Sequence, residues 1–293
     1  MLRIRTEKGR CRWKNDCPAL PVQRTENTTN DMAEGLMAVD KNGFISLPDF
    51  SGFQPAFSQL VTDTVQQLVA AVPELIHSIY VYGSLAEGRA VETQSDLDLT
   101  VIFSREQDAS ASQRLSDVKS ALEREYPVIS KIDIDPGVLD TVMQPENAER
   151  WGYWLKHHCV CVYGDDLRER FEPFRPSREI AIAVNGDFLA VLNGYVFQMK
   201  PSMEPLQRHL LQRAAARKAI RATNILREEN DRDWPMSLEE HCNKFNERYP
   251  ALTEEMDYFL SISHRPRGDI MAFAGRIITF GYWLNAEYQS RQR

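Results

Sequence analysis

Between residues 54 and 72 apolar side chains recur at helical spacing, at Phe57, Leu60, Val61, Val65, Leu68 and Val72, and predict an amphipathic helix with one core-facing stripe. Residues 76–82 then read as a short apolar strand, and after a polar turn a second strand runs from Asp96 to about Phe103. Residues 104–126 are charged, with apolar positions at Leu115, Val118 and Leu122, and predict a crossover helix stopped by Pro127. A third strand follows over 128–135. Strand, helix, strand is the pattern of a mixed sheet covered by helices.

Past Trp151, Tyr153, Trp154 and Leu155, a fourth short strand ends at Gly164, packed by Val160 and Val162. The run His157-His158-Cys159-Val160-Cys161 invites a metal reading. Alternating strand residues cannot aim both thiols and both histidines at one ion, so the strand reading stands. Asp165-Asp166 reads as a helix cap. Beyond Pro176 the pattern is helical only: 180–198 as one apolar helix, 206–227 with a stripe of Leu211, Ala215, Ala219, Ala222 and Leu226, two shorter helices over 236–245 and 252–260, and a last one over 269–288. That last helix carries Met271, Phe273, Ile277, Ile278, Phe280, Tyr282, Trp283 and Leu284 nearly all round, which predicts burial within a bundle. Arg276 interrupts it, so it does not read as a bilayer span.

The pattern therefore predicts an α/β (α+β) chain, with a small mixed β-sheet domain over 51–175 and an all-α helical-bundle domain over 176–293. Residues 1–50 break with it: Arg3, Arg5, Lys8, Arg10, Arg12 and Lys14 stand among few apolar residues, and a disordered tail is expected. There is no apolar core of a secretory signal, and Glu7 and Asp16 argue against a transit peptide. A start of translation at Met32 or Met37 is the alternative that this break suggests. Cys11, Cys17, Cys159, Cys161 and Cys242 have neither zinc-ligand spacing nor the density of a disulfide scaffold, and a reducing cytoplasm is expected. The net charge of −7 argues against a nucleic-acid partner and is compatible with a small cationic substrate.

The chemistry gathers around the first two strands. Strand parity puts Asp96 and Asp98 on one face while Leu97, Leu99 and Val101 enter the core. At about 5 to 6 Å and an effective dielectric of ~20, two such carboxylates repel by about 3 kcal/mol, which a bound divalent cation removes. Ahead of them, Gly83 lets backbone approach a ligand, and Ser84 offers a hydroxyl and an amide at a helix start suited to phosphate. Residues 83–90 read G-x-x-x-x-G-R-A. This misses the P-loop at both chemical positions, Arg89 and Ala90.

Apolar-Gly83-Ser84, a spacer of about a dozen residues, then Asp96-Leu97-Asp98-Leu99 resembles the nucleotidyltransferases of the DNA polymerase beta superfamily. The match covers roughly residues 76 to 135 and is specific as a set. The family's third carboxylate stands on a later strand in an apolar-acid-apolar setting, which Ile132-Asp133-Ile134 supplies. Asp135 is the rival on the same face, and Pro136 after it suggests that the strand is ending. The resemblance implies that Asp96, Asp98 and Asp133 are catalytic and hold metal, two Mg2+ ions, and that Gly83 and Ser84 bind the phosphates of ATP or another NTP. It makes the chain an enzyme that transfers a nucleoside monophosphate to an acceptor hydroxyl and releases pyrophosphate.

Arg213, Arg217 and Arg221 stand four apart with Lys218 beside them. Two readings stay open, a solvated basic face and a clamp on the triphosphate in which Lys218 and Arg221 bind the nucleotide. A catalytic domain followed by a helical one is similar to the aminoglycoside nucleotidyltransferases, implying a polycationic small-molecule acceptor; with no bilayer span read in the last helix, no membrane partner is expected. Transfer to a protein hydroxyl and a non-catalytic or antitoxin-like binding role are the alternatives. All of this expects the three acids to converge without a lysine or arginine to neutralise them.

Overall fold

The computed structural model describes residues 38–292. The chain divides into two compact units, Ser46–Pro173 forming the first and Ala38–Ile45 joining Phe174 onward in the second. The expected tail is thus structured from residue 38: Val39 bridges Ile45, Asp40 carries the turn between them, and Ile45 is buried with its amide donating to Phe174 O at 2.8 Å. Residues 1–37, which include most of the expected tail, both alternative start methionines, Cys11 and Cys17, lie outside the described residues.

In the first unit α1 (Pro55–Ala71) leads into β1 (Ile76–Tyr82), the single turn α2 (Gly83–Ala86), β2 (Leu97–Phe103), α3 (Ala109–Glu125) and β3 (Ile132–Val138). Asp108 caps α3 by accepting from the Ala111 amide. Two short helices, α4 (Leu139–Val142) and α5 (Tyr153–His158), precede β4 (Val160–Gly164). The sheet order is β3-β2-β1-β4, with β1 antiparallel to β2 and β4 and with β2 parallel to β3. This is the small mixed sheet that the hydrophobic pattern predicts.

One face of this sheet carries Ile79, Val81, Leu97, Leu99, Val101 and Phe103, which pack on Phe57, Leu60 and Leu68 of α1 and on Leu115 and Leu122 of α3. On the other face Tyr80 and Ile102 meet Val142, Leu155, Cys159 and Leu167. The fourth strand ends at Gly164, where a Cβ would fall 1.9 Å from His77 O, and Asp166 caps the following turn by accepting from Arg168 N. His157 and His158 lie on α5 rather than on the strand. One expectation needs correcting: β3 does not end before Pro136 but continues to Val138. As the sheet's edge strand it can accommodate a residue without an N–H.

The second unit is helical: α6 (Arg178–Asn185), α7 (Phe188–Gln198), α8 (Pro205–Ala222), α9 (Leu238–Arg248), α10 (Thr253–His264) and α11 (Ile270–Ser290). Ala215, Ala219 and Ala222 of α8 are buried with Phe245, Phe259, Phe273, Ile277, Phe280 and Leu284. Ser237 and Glu240 form a capping box at α9, and Asp269 caps α11. Two expectations change here. The predicted helix over 180–198 is two helices of 8 and 11 residues broken at Gly186-Asp187, although Arg178–Gln198 taken as one 21-residue stretch is long and apolar enough to cross a membrane by length and composition alone. The last helix is buried on one side only, because Met271 and Tyr282 are exposed.

His241 on α9 is buried, and burial, followed by the charges of Arg221 and Arg227, pushes its pKa down to about 3 from 6.5. Its neutral form is favoured in the folded chain. The stability that follows is complete above pH 6.5 and is lost as the pH falls toward about 3. His241→Met is expected to flatten the decline in melting temperature on the acid side; an unchanged slope in thermal unfolding across that window would count against this role.

Candidate active site

Register brings the acids together. Asp98 on β2 lies beside Tyr82 of β1 on one side and Asp133 of β3 on the other, and Thr100 lies beside Asp135. Asp96, one residue before β2, shares the parity of Asp98. One carboxylate oxygen from each of Asp96, Asp98 and Asp133 lies within 4.8 Å of the others. The three residues expected to converge do so.

Burial is the largest cause that raises the Asp98 pKa, to about 7, and the charges of Asp96 and Asp133 add to it. An acid held this high wants a proton or a cation beside it. Further along β2, Thr100 accepts from Trp154 Nε1 at 3.0 Å, and Ile102 closes into the core. The strand face therefore grades from carboxylate through hydroxyl to hydrocarbon, and the acids stand at its polar end.

The turn that carries Gly83 and Ser84 is fixed from several sides. Gly83 has φ +70°, and a Cβ there would lie 2.6 Å from Asp98 Oδ2. Only glycine combines that backbone with so close an approach to the acid. The amides of Glu87 and Arg89 donate to Gly83 O and Ser84 O at 3.0 Å, and the Gln54 side chain clasps the Ala90 amide and carbonyl at 2.9 and 3.2 Å. As the first residues of a helical turn, Gly83, Ser84 and Leu85 have amides with no partner inside it, suited to anionic oxygens.

Several residues that sequence reasoning passed over complete the site. The Ser130 hydroxyl donates to Asp96 Oδ1, and Tyr82 Oη donates to Asp135 Oδ2 at 2.5 Å. Tyr82 also stands edge-on to Trp154, whose ring stacks on His158 at 5.0 Å. Lys131 corrects the expectation that no cation answers the acids: its ammonium bonds Asp133 Oδ2 and lies 3.6 Å from Asp96 Oδ2. The reason is strand parity, since Lys131, Asp133 and Asp135 alternate onto one face. One ammonium against four carboxylates still leaves the face acidic. Ser130→Ala is expected to lower turnover by about tenfold, with folding intact, because Asp96 then loses the hydroxyl that orients its carboxylate. Equal steady-state rates for the two proteins would exclude this.

Lys218 and Arg221 belong to the second unit. Lys218 Nζ pairs with Asp187 Oδ1 at 2.6 Å, and Arg221 is exposed on the last turn of α8. Arg213 and Arg217 are half-buried on the same helix.

Residues 63–180 match the family model described as a nucleotidyltransferase domain, a span that contains all four strands and the three acids. No curated protein matches the chain. Among solved structures it is similar to the spectinomycin adenyltransferase AAD(9) from Enterococcus faecialis, determined with ATP and spectinomycin. The two share 12% identity with a TM-score of 0.48, over 79% of this chain and 98% of that one.

Proposed function

We propose that this chain, an enzyme with a nucleotidyltransferase domain over residues 63–180, carries out metal-dependent transfer of a nucleoside monophosphate, from ATP, to a hydroxyl of a polycationic small molecule resembling an aminoglycoside. The observation that carries the metal-dependent part is the convergence of Asp96, Asp98 and Asp133 beside the Gly83-Ser84 turn. The cationic acceptor is supported by the net charge of −7 and by the exposed Asp135. A cytoplasmic setting fits the buried, reduced thiols of Cys159 and Cys242.

The chain's own groups would divide the work as follows. Ser84 and the amides of its turn bind the β- and γ-phosphate oxygens and hold the α-phosphorus in line with the acceptor. Asp96, Asp98 and Asp133 fit magnesium, being three hard carboxylate donors that converge on one point. Bound there, the ion would stabilise the charge that builds on the entering and leaving oxygens. Asp133 also accepts the proton of the attacking hydroxyl when it acts as general base. The bond from that oxygen to the α-phosphorus forms as the bond to the bridging oxygen breaks, and pyrophosphate leaves with the electron pair.

Release of pyrophosphate, measured with Mg2+, each of the four nucleoside triphosphates and a panel of acceptors, tests this reading. Polycationic amino sugars should support release, with ATP the preferred donor. Release that requires an RNA end or a protein hydroxyl would overturn the acceptor class, and release undiminished by EDTA would overturn the metal dependence.

A further inference from the structure

The residue that the transfer mechanism leaves without a task is Lys131. Its ammonium lies between two of the three carboxylates that would hold a divalent ion, bonded to Asp133 and 3.6 Å from Asp96. An ammonium and a metal ion cannot share that space, since at about 4 Å they would repel strongly even at an effective dielectric of ~20. The Lys131 side chain is 44% exposed, and its four-carbon stem can turn outward without movement of the strand. An arginine would hold a carboxylate through a planar two-point fork, whereas lysine holds it as a single point charge and releases it more readily.

We propose that Lys131 is a displaceable counter-cation, which keeps Asp96 and Asp133 aimed at one point while no metal is bound and gives up its place when the metal arrives. This rests on the metal-dependent reading above. It makes metal affinity weaker than the three carboxylates alone would give, because loading must first break the lysine's contacts, a conformational cost that a variant can remove. In exchange the metal-free protein does not have to hold the converging acids apart unaided.

The test uses the full chain and Mn2+, whose unbound form is counted by its paramagnetic resonance signal. Lys131→Met keeps the stem and removes the charge; it is expected to bind Mn2+ about tenfold more tightly than wild type. It should also melt a few degrees lower without metal, a deficit that saturating Mn2+ removes. Lys131→Arg retains the charge and is expected to bind no more tightly than wild type. Lys131→Gln serves in place of the methionine variant should that protein fold poorly by circular dichroism. Unchanged or weaker Mn2+ binding in the neutral variant, with wild type binding normally, overturns the role of Lys131 alone. No Mn2+ binding by any of the proteins overturns the metal reading together with it.

Discussion

Asp98→Asn is expected to lower nucleotidyl transfer by about a thousandfold or more, while the metal-free protein melts at a higher temperature than wild type. The two effects share one cause. Asp98 is the acid whose pKa rises to about 7, from burial first and then from Asp96 and Asp133. In its charged form it is costly to the fold and suited to a metal. A loss of about 4 kcal/mol of transition-state stabilisation corresponds to a thousandfold in rate.

The pH dependence separates this from a merely structural role. Because the folded pKa lies above the usual 3.8, the folded chain binds this proton more tightly than the unfolded one. The stability it contributes is therefore complete below pH 3.8 and is lost as the pH rises through about 7. Metal-free wild type should lose melting temperature across that window, and Asp98→Asn should lose less. Matching slopes for the two proteins in scanning calorimetry, or turnover near wild type, would remove Asp98 from the role given to it.

Gly83→Ala is expected to cost about a hundredfold or more in turnover and to destabilise the protein as well. The added methyl meets Asp98 Oδ2 at 2.6 Å, and a backbone at φ +70° is costly for any residue with a side chain. Either the turn gives way and its amides lose their aim, or Asp98 moves out of line with Asp133. Gly88→Ala is the control: its φ is +68°, yet nothing lies within 4 Å of the added carbon. It carries the backbone cost without the collision, so its turnover should stay within a few-fold of wild type. Equal activity losses in the two variants would show that backbone strain, and not contact with the acid, is what matters at Gly83.

The elements that sequence made visible are those with a strong period. β1 follows its apolar run from end to end, and α1, β2 and α3 lie where alternation and helical spacing put them. Parity along β2 was enough to set Asp96 and Asp98 on one face. What escaped was tertiary or one-sided. Pro136 signals a strand's end unless the strand is at a sheet's edge, which a single sequence does not reveal. The break at Gly186-Asp187 hides inside a continuous apolar run. Lys131 was open to the same parity argument that selected Asp133, since it stands two residues earlier on the same strand face, but a lone lysine among acids carries no motif. Ser130 and Tyr82 have no signal of their own, because their contacts with Asp96 and Asp135 cross from one strand or loop to another.

Ile45 and Phe174 are joined by a backbone hydrogen bond, although the first unit lies between them in sequence. The ends of Ser46–Pro173 are therefore anchored side by side, as in an insertion spliced into a host at one seam. A segment with neighbouring ends is suited to excision, to circular permutation and to transplantation through a short linker. The helical unit has the opposite character. Its opening stretch leaves the ribosome well over a hundred residues before the partner it pairs with, so its assembly must wait until the chain beyond Phe174 has been made.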